Sequence, residues 1–431
     1  MMRGLLTRAR LARVAGFASA QVGVQLLAFG GGIVLVRAMA PAEYGFYTLG
    51  VTMVGVANVL TELGLANAVI AIGGRLPDER AVFARLLSDA HALHAVLAFA
   101  GLAVVLPAFA LLMRHQHAPV ATIVALSLAG GLAAILNVRN AIALALARLA
   151  GHLGVQQRMD LVVNGARLLV LVALALVALD AVVASIVNLA VAAGAFVAWR
   201  RYLARRFGGA VAVADPGRRA ALRMSVLRQA PNCVYYVFSS QLAVWLIGIF
   251  GTTDRVADVG ALGRLGAAFA VVTAVIGAVV QPYFARRQAA AELDAAFVVL
   301  NASFLGLTLA LAGLSVACPE AFLWILGPHY AGLRRELVWM ALSTALAAWG
   351  GALYTVGCGR GWVLPSAFGI GCGVVSTIIG LSCFDLSTVG GSLELATLSA
   401  AAAMAVNFAY MSVSLARHRR STRGLQPAQA R

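Results

Sequence analysis

The chain is 431 residues long, 62% hydrophobic and only 11% charged. Soluble domains carry about a quarter charged residues, so this composition excludes the two or three soluble domains that length alone would suggest and points to one polytopic membrane unit. The 33 basic residues are all arginine, against 16 acidic ones, for a formal charge of +17. That excess would suit a polyanion, but the arginines cluster between apolar segments, as the positive-inside rule predicts, and no nucleic acid partner is expected.

The N-terminus, Met1 to Arg13, is basic and runs into a long apolar stretch with no small-residue cleavage site, so it reads as a retained first helix. A spanning helix needs about 20 mostly apolar residues. The sequence predicts twelve of them, at 15–36, 46–71, 87–113, 119–142, 161–179, 181–199, 230–250, 257–282, 297–317, 335–356, 362–384 and 391–414. Only Asp180 divides the fifth from the sixth, which form either a tight hairpin or one bent segment with an interfacial piece. With the N-terminus inside, the outer side receives Arg37, Arg114, Arg255, Arg264, Arg334 and Arg335, and the other arginines fall inside, so both termini are expected in the cytoplasm.

The predicted fold class is therefore all-α membrane protein, with about 12 transmembrane helices in two six-helix lobes. The lobes are 1–199 and 229–416, joined by a polar, arginine-rich linker over 200–228 and followed by a cytoplasmic tail, 417–431. The linker's basic face could also rest on anionic membrane lipid. Residues 42–47, AEYGFY, and 257–262, ADVGAL, share the pattern Ala-acid-x-Gly at the same place in each half, consistent with like-oriented repeats. Gly30 to Gly32, Gly350, Gly351, Pro107 and Pro365 are candidate bending or close-packing points.

Polar residues inside oily runs carry the functional signal. Glu62 and Asn58 share a face of the second segment, and Gln21 and Gln25 a face of the first. The seventh opens on Asn232, with Tyr236 one turn later. Arg139 lies in the fourth, Arg264 in the eighth, and Arg37 just beyond the first. Together they suggest a hydrated cavity of cationic bias, suited to an anion, since arginine binds phosphate through a planar fork. For the uncharged residues taken singly, hydrogen bonding between helices is the stronger explanation, whereas Glu62, Arg139 and Arg264 point to cavity lining. Glu62 could hold an arginine or take a coupling proton or sodium ion. His91 and His94, and His115 and His117, are too few for a metal site. The five cysteines form no C-x-x-C pair and read as small core residues. The chain carries no Walker A, dinucleotide-binding or hydrolase pattern, so no enzyme activity, cofactor or metal is expected.

Several stretches, in order, resemble the polysaccharide-exporter branch of the multidrug/oligosaccharidyl-lipid/polysaccharide exporter superfamily, which includes the Wzx-type O-antigen flippases. They are Arg37 with Pro41-Ala42-Glu43-Tyr44-Gly45, Glu62-Leu63-Gly64-Leu65, Gly154 to Arg158, Ala257-Asp258-Val259-Gly260 with Arg264, Gln281 to Arg286, and Leu326 to Ala331. Many relatives carry Asp where this chain has Glu62. The resemblance implies a MATE/MurJ-like architecture working by alternating access. It also implies translocation of an undecaprenyl-diphosphate-linked oligosaccharide, a lipopolysaccharide or other surface-polysaccharide precursor, across the bacterial inner membrane. Polysaccharide polymerase and glycosyltransferases are the implied partners. Two other readings stand beside it: a cation-coupled small-molecule antiporter, and a non-transporting membrane scaffold for glycan assembly.

Overall fold

The structure, a computed structural model, describes residues 8–73, 80–150, 152–207, 215–266, 280, 284, 289–360, 362 and 364–425. Among them every regular element is helical. In lipid, a helix satisfies its own backbone polar groups, so apolar runs of this length have no other stable form short of a barrel. In chain order the helices are α1 (Arg8–Ala38), α2 (Pro41–Glu62), α3 (Leu65–Gly73), α4 (Arg80–His115), α5 (Val120–Leu149), α6 (Leu153–Ala175), α7 (Ala181–Phe207) and α8 (Pro216–Ser240). They continue with α9 (Leu242–Phe250), α10 (Thr253–Gly266), α11 (Ala290–Ala317), α12 (Pro319–Leu326), α13 (Arg334–Gly359), α14 (Ser366–Cys383) and α15 (Val389–Leu425), with a short 3-10 turn at Pro328–Tyr330.

Nine spans among the described residues are long and apolar enough to cross a membrane, and α8 with α9 makes a tenth, bent by 54°. The expected twelve differ in three places. The fifth is a helix, α6, but Arg158, Asp160 and Arg167 on it keep it outside that apolar set. The seventh is broken at Gln241. The eighth begins as α10, and most of its remainder lies outside the described residues. So does the Gln281 to Arg286 motif, apart from Phe284. Around Asp180, α6 and α7 are separate helices packed on one another. The Asp180 carboxylate accepts from Val183 N at 2.7 Å, and Glu43 in the first turn of α2 accepts from Ala181 N at 3.0 Å. Two carboxylates thus satisfy the open N–H groups that begin α7. Within 200–228, residues 200–207 prolong α7 and 216–228 open α8.

The chain divides into two compact units, Gly30–Gly260 and Met1–Phe29 with Ala261–Arg431. In the first, α5 is central and packs on α2, α3, α4 and α7. Leu65, Val69, Leu86, Ile142, Leu146, Trp199 and Leu222 form its core. Where α2 meets α10 the two Ala-acid-x-Gly glycines face each other's helix. A Cβ on Gly45 would lie 2.4 Å from Thr253 O, and one on Gly260 would lie 2.4 Å from Thr48 Oγ1. The shared glycine is thus a close-approach residue in both copies.

In the second unit, α13 packs along α15 and α11 around Phe297, Phe304, Trp349, Leu353, Val356 and Met411. Phe304 stacks on Trp349 at 6.2 Å, and Trp349 Nε1 donates to Asn301 Oδ1 at 2.8 Å. Gly350 lets the Met404 backbone approach, whereas Gly351 has no neighbour there. Pro107 sits inside an unbroken α4, and Pro365 precedes α14 as its N-cap. Leu326 to Ala331 is a tight corner. Gly327 has φ 116°, open to glycine with little strain, and Tyr330 is buried behind it. Exposed Phe99, Leu111, Leu169 and Val298 are outward-facing apolar groups suited to lipid contact.

Candidate functional site

The second spanning segment is not one helix. It breaks at Glu62-Leu63-Gly64-Leu65, where Leu63 (φ 44°) and Gly64 (φ 78°) are left-handed. Leu63 N still reaches Val59 O at 2.8 Å, and the helix restarts at Leu65. A left-handed leucine is costly and persists only where its surroundings hold it. Gln229 on α8 fills the space against Gly64, where a Cβ would meet its Oε1 at 2.6 Å.

Glu62 sits at the break. Its Oε1 accepts from Ala66 N at 3.4 Å, which satisfies one of the open N–H groups at the start of α3. Both α2 and α3 pack on α8, the helix that carries Cys233. One turn earlier, Asn58 buries an Oδ1 with no hydrogen-bond partner among the described residues. Glu62 and Asn58 are therefore brought together beside α8. The side chain of Tyr236, further along α8, is largely exposed, and Asn232 lies on the same helix.

Arg139 projects from the middle of α5. Its guanidinium lies 5.9 Å from the centre of the Phe196 ring on α7, and α5 packs on α4, the helix that carries His91 and His94. Arg37 is exposed in the last turn of α1, where a cation complements the helix dipole. Gln21, Gln25 and Arg264 are half-buried and belong to the other compact unit.

Three arrangements escaped the reading of the sequence. Asp89 is fully buried on α4 between two arginines that open α8: Arg219 Nε donates to its Oδ1 at 2.8 Å, and Arg218 Nε stands 3.1 Å from Oδ2. The rule that singled out Glu62, an acid inside an oily run, also covered Asp89, which lies at the start of the third expected span, 87–113. Tyr47 Oη accepts from Arg167 Nη2 at 3.3 Å and Asn188 Nδ2 at 3.1 Å, tying α2 to α6 and α7. In the turn after α4, Gln116 donates to Gly248 O and Gly251 O at 2.6 and 3.2 Å and accepts from Thr253 Oγ1 at 2.8 Å. Outside the spans, Asp215 caps α8 through the N–H groups of Gly217 and Arg218. The Arg218 backbone N–H is the leading cause that holds its carboxyl below the usual carboxylate range.

No protein-family model matches the chain, and no curated protein matches it in sequence. Solved structures do. An inward-facing multidrug resistance MATE family transporter of the MOP superfamily aligns over 94% of this chain and 99% of its own, at TM-score 0.67 and 14% identity. A MOP superfamily transporter from Pyrococcus furiosus, described as having a binding pocket of reverse polarity, aligns over 94% and 95% at TM-score 0.63 and 14% identity. A Vibrio cholerae MATE transporter aligns over 94% and 98% at TM-score 0.60 and 15% identity. The chain is thus an all-helical, multi-pass membrane protein with the fold of the MATE transporters of the MOP superfamily.

Proposed function

We propose that this chain is a transporter that moves an undecaprenyl-diphosphate-linked oligosaccharide across the bacterial inner membrane by alternating access, with both termini in the cytoplasm. The observation that carries the transport reading is the broken second span. Discontinuous helices with polar groups at the break mark binding sites in transporters, and here Glu62 stands at the Leu63–Gly64 break, one turn after Asn58, whose buried Oδ1 has no partner among the described residues. The finer assignment rests on the order of the flippase-like motifs and on the cationic bias of Arg139 and Arg264. The P. furiosus neighbour, described as having a binding pocket of reverse polarity and a different function, supports the idea that pockets of this fold vary in polarity. Polymerase and glycosyltransferases would act before and after this step.

A second reading, a cation-coupled small-molecule antiporter, draws support from the multidrug transporters among the similar structures. In either case Glu62 is the group for a proton or sodium ion. The deciding experiment measures how much undecaprenyl-linked oligosaccharide is accessible from the outer face in a deletion strain, with the wild-type chain or Glu62→Gln restored. Glycan trapped inside, released by wild type but not by Glu62→Gln at equal membrane levels, is the expected result. Unchanged sidedness, with drug resistance conferred on an exporter-deficient strain, would overturn the lipid-linked reading in favour of the antiporter.

A further inference from the structure

The sequence alone leaves 200–228 as a plain linker or a lipid-facing one. The end of α7 and the start of α8 stand at the same end of the first compact unit. Trp199 and Leu203 of α7 share a core with Leu222 and Val226 of α8, and both helices pack on α4. At 1.5 Å per residue, Arg200 to Arg206 and Arg223 to Arg228 lie within about 10 Å of the apolar runs 181–199 and 230–250, about one Debye length. The acids that α8 meets there, Asp89 and Asp215, are already paired. Asp89 takes Arg218 and Arg219, and Asp215 Oδ2 stands 2.9 Å from Arg218 Nη2. Among the described residues no carboxylate pairs with Arg200, Arg201, Arg205, Arg206, Arg223 or Arg228, and all six are exposed.

On α8, Arg223, Met224, Leu227 and Arg228 form one stripe, opposite the buried Leu222 and Val226. Met224 is 53% exposed and Leu227 55%. In water, two such apolar side chains between arginines would gain nothing. At a membrane surface they enter the acyl boundary while the guanidinium groups stay at headgroup level. On α7, Trp199 and Tyr202 meet edge to face at 5.7 Å, the aromatic types favoured at that level. We propose that this end of the first unit is a docking surface for anionic phospholipid, with headgroup phosphates held by the arginines of α7 and α8, and Met224 and Leu227 set among the acyl chains. A soluble polyanion would match the charge but leave Met224 and Leu227 in water, whereas the bilayer that α7 crosses is continuous with this surface. The inference is independent of the cargo, because lipid binding is read on the purified protein without flux.

The test is native mass spectrometry of the full-length protein in a neutral detergent, titrated with phosphatidylglycerol or with phosphatidylcholine of the same chains. The variants are Arg205→Gln with Arg206→Gln, and Arg223→Gln with Arg228→Gln. The control is Arg114→Gln with Arg255→Gln, which removes the same charge from the last turn of α4 and the first turn of α10. Each is checked for an unchanged elution profile. One arginine near an anionic leaflet strengthens attachment about fivefold. Wild type should therefore prefer phosphatidylglycerol by about fivefold or more, and either arginine pair should lose most of that preference while the control keeps it. No preference in wild type, a preference unchanged in both arginine pairs, or one lost equally in the control overturns the proposal.

Discussion

The crossing of α2 and α10 gives the sharpest test of the packing. Gly260→Ala places a methyl carbon 2.4 Å from Thr48 Oγ1 and 2.6 Å from its Cγ2. Gly45→Ala places one 2.4 Å from Thr253 O and 2.6 Å from its Cγ2. Favourable contact lies near 3.5–4 Å, so each methyl overlaps its neighbour by about 1 Å, and each variant is expected to lose about 1–3 kcal/mol. At roughly 2 °C per kcal/mol for a large chain, the melting temperature in detergent should fall by a few degrees. The two overlaps differ in kind. Thr48→Ala removes both offending atoms, leaving Thr48 Cβ at 3.1 Å, and it also removes a buried hydroxyl with no partner among the described residues. Thr48→Ala should therefore rescue Gly260→Ala. Thr253→Ala cannot rescue Gly45→Ala, because the obstacle is a backbone carbonyl. Melting curves of the four single and two double variants, read as double-mutant cycles, decide the matter. If Gly45→Ala were as stable as wild type, or were rescued as fully by Thr253→Ala as its counterpart by Thr48→Ala, the close approach would be wrong.

Three more outcomes are expected. Asp89→Asn should cost about 3 kcal/mol, because it leaves two arginines facing a buried amide, whereas Arg219→Gln, on a half-exposed partner, should cost less than 1 kcal/mol. Thermal melting, together with proteolysis near Pro216, separates the two. Gln116→Ala removes three hydrogen bonds and should cost about 2–3 kcal/mol, seen as faster hydrogen exchange at residues 248–253; exchange rates equal to wild type would show that Gln116 does not hold that turn. The Asp215 carboxyl titrates lower when folded than when unfolded, so its capping of α8 is fully present above the unfolded pKa of about 3.9 and is lost as pH falls through the lower folded value. Protection of the Gly217 and Arg218 amides, taken relative to their intrinsic exchange rates at each pH, should fall on acidification in the wild type, and Asp215→Asn should flatten that dependence.

Much of the architecture was legible in the sequence. An apolar run of about 20 residues has one stable form in lipid, so α1, α4, α5, α7, α11, α13, α14 and α15 stand close to where hydropathy put them. The Glu62-Leu63-Gly64-Leu65 stretch stood out as an acid beside a glycine at membrane depth, and the chain breaks there. The glycine shared by 42–47 and 257–262 also stood out. That each of these glycines admits a threonine of the other's helix was not readable, because it depends on how α2 and α10 cross. For the same reason, nothing in the sequence joined Glu43 to Ala181, Asp89 to Arg218 and Arg219, or Tyr47 to Arg167 and Asn188. In a soluble protein the buried face of a helix is marked by its hydrophobicity. In a membrane the lipid-facing side is as apolar as the core, so sequence places the spans and the costly polar residues, and only the tertiary structure shows which of those residues meet.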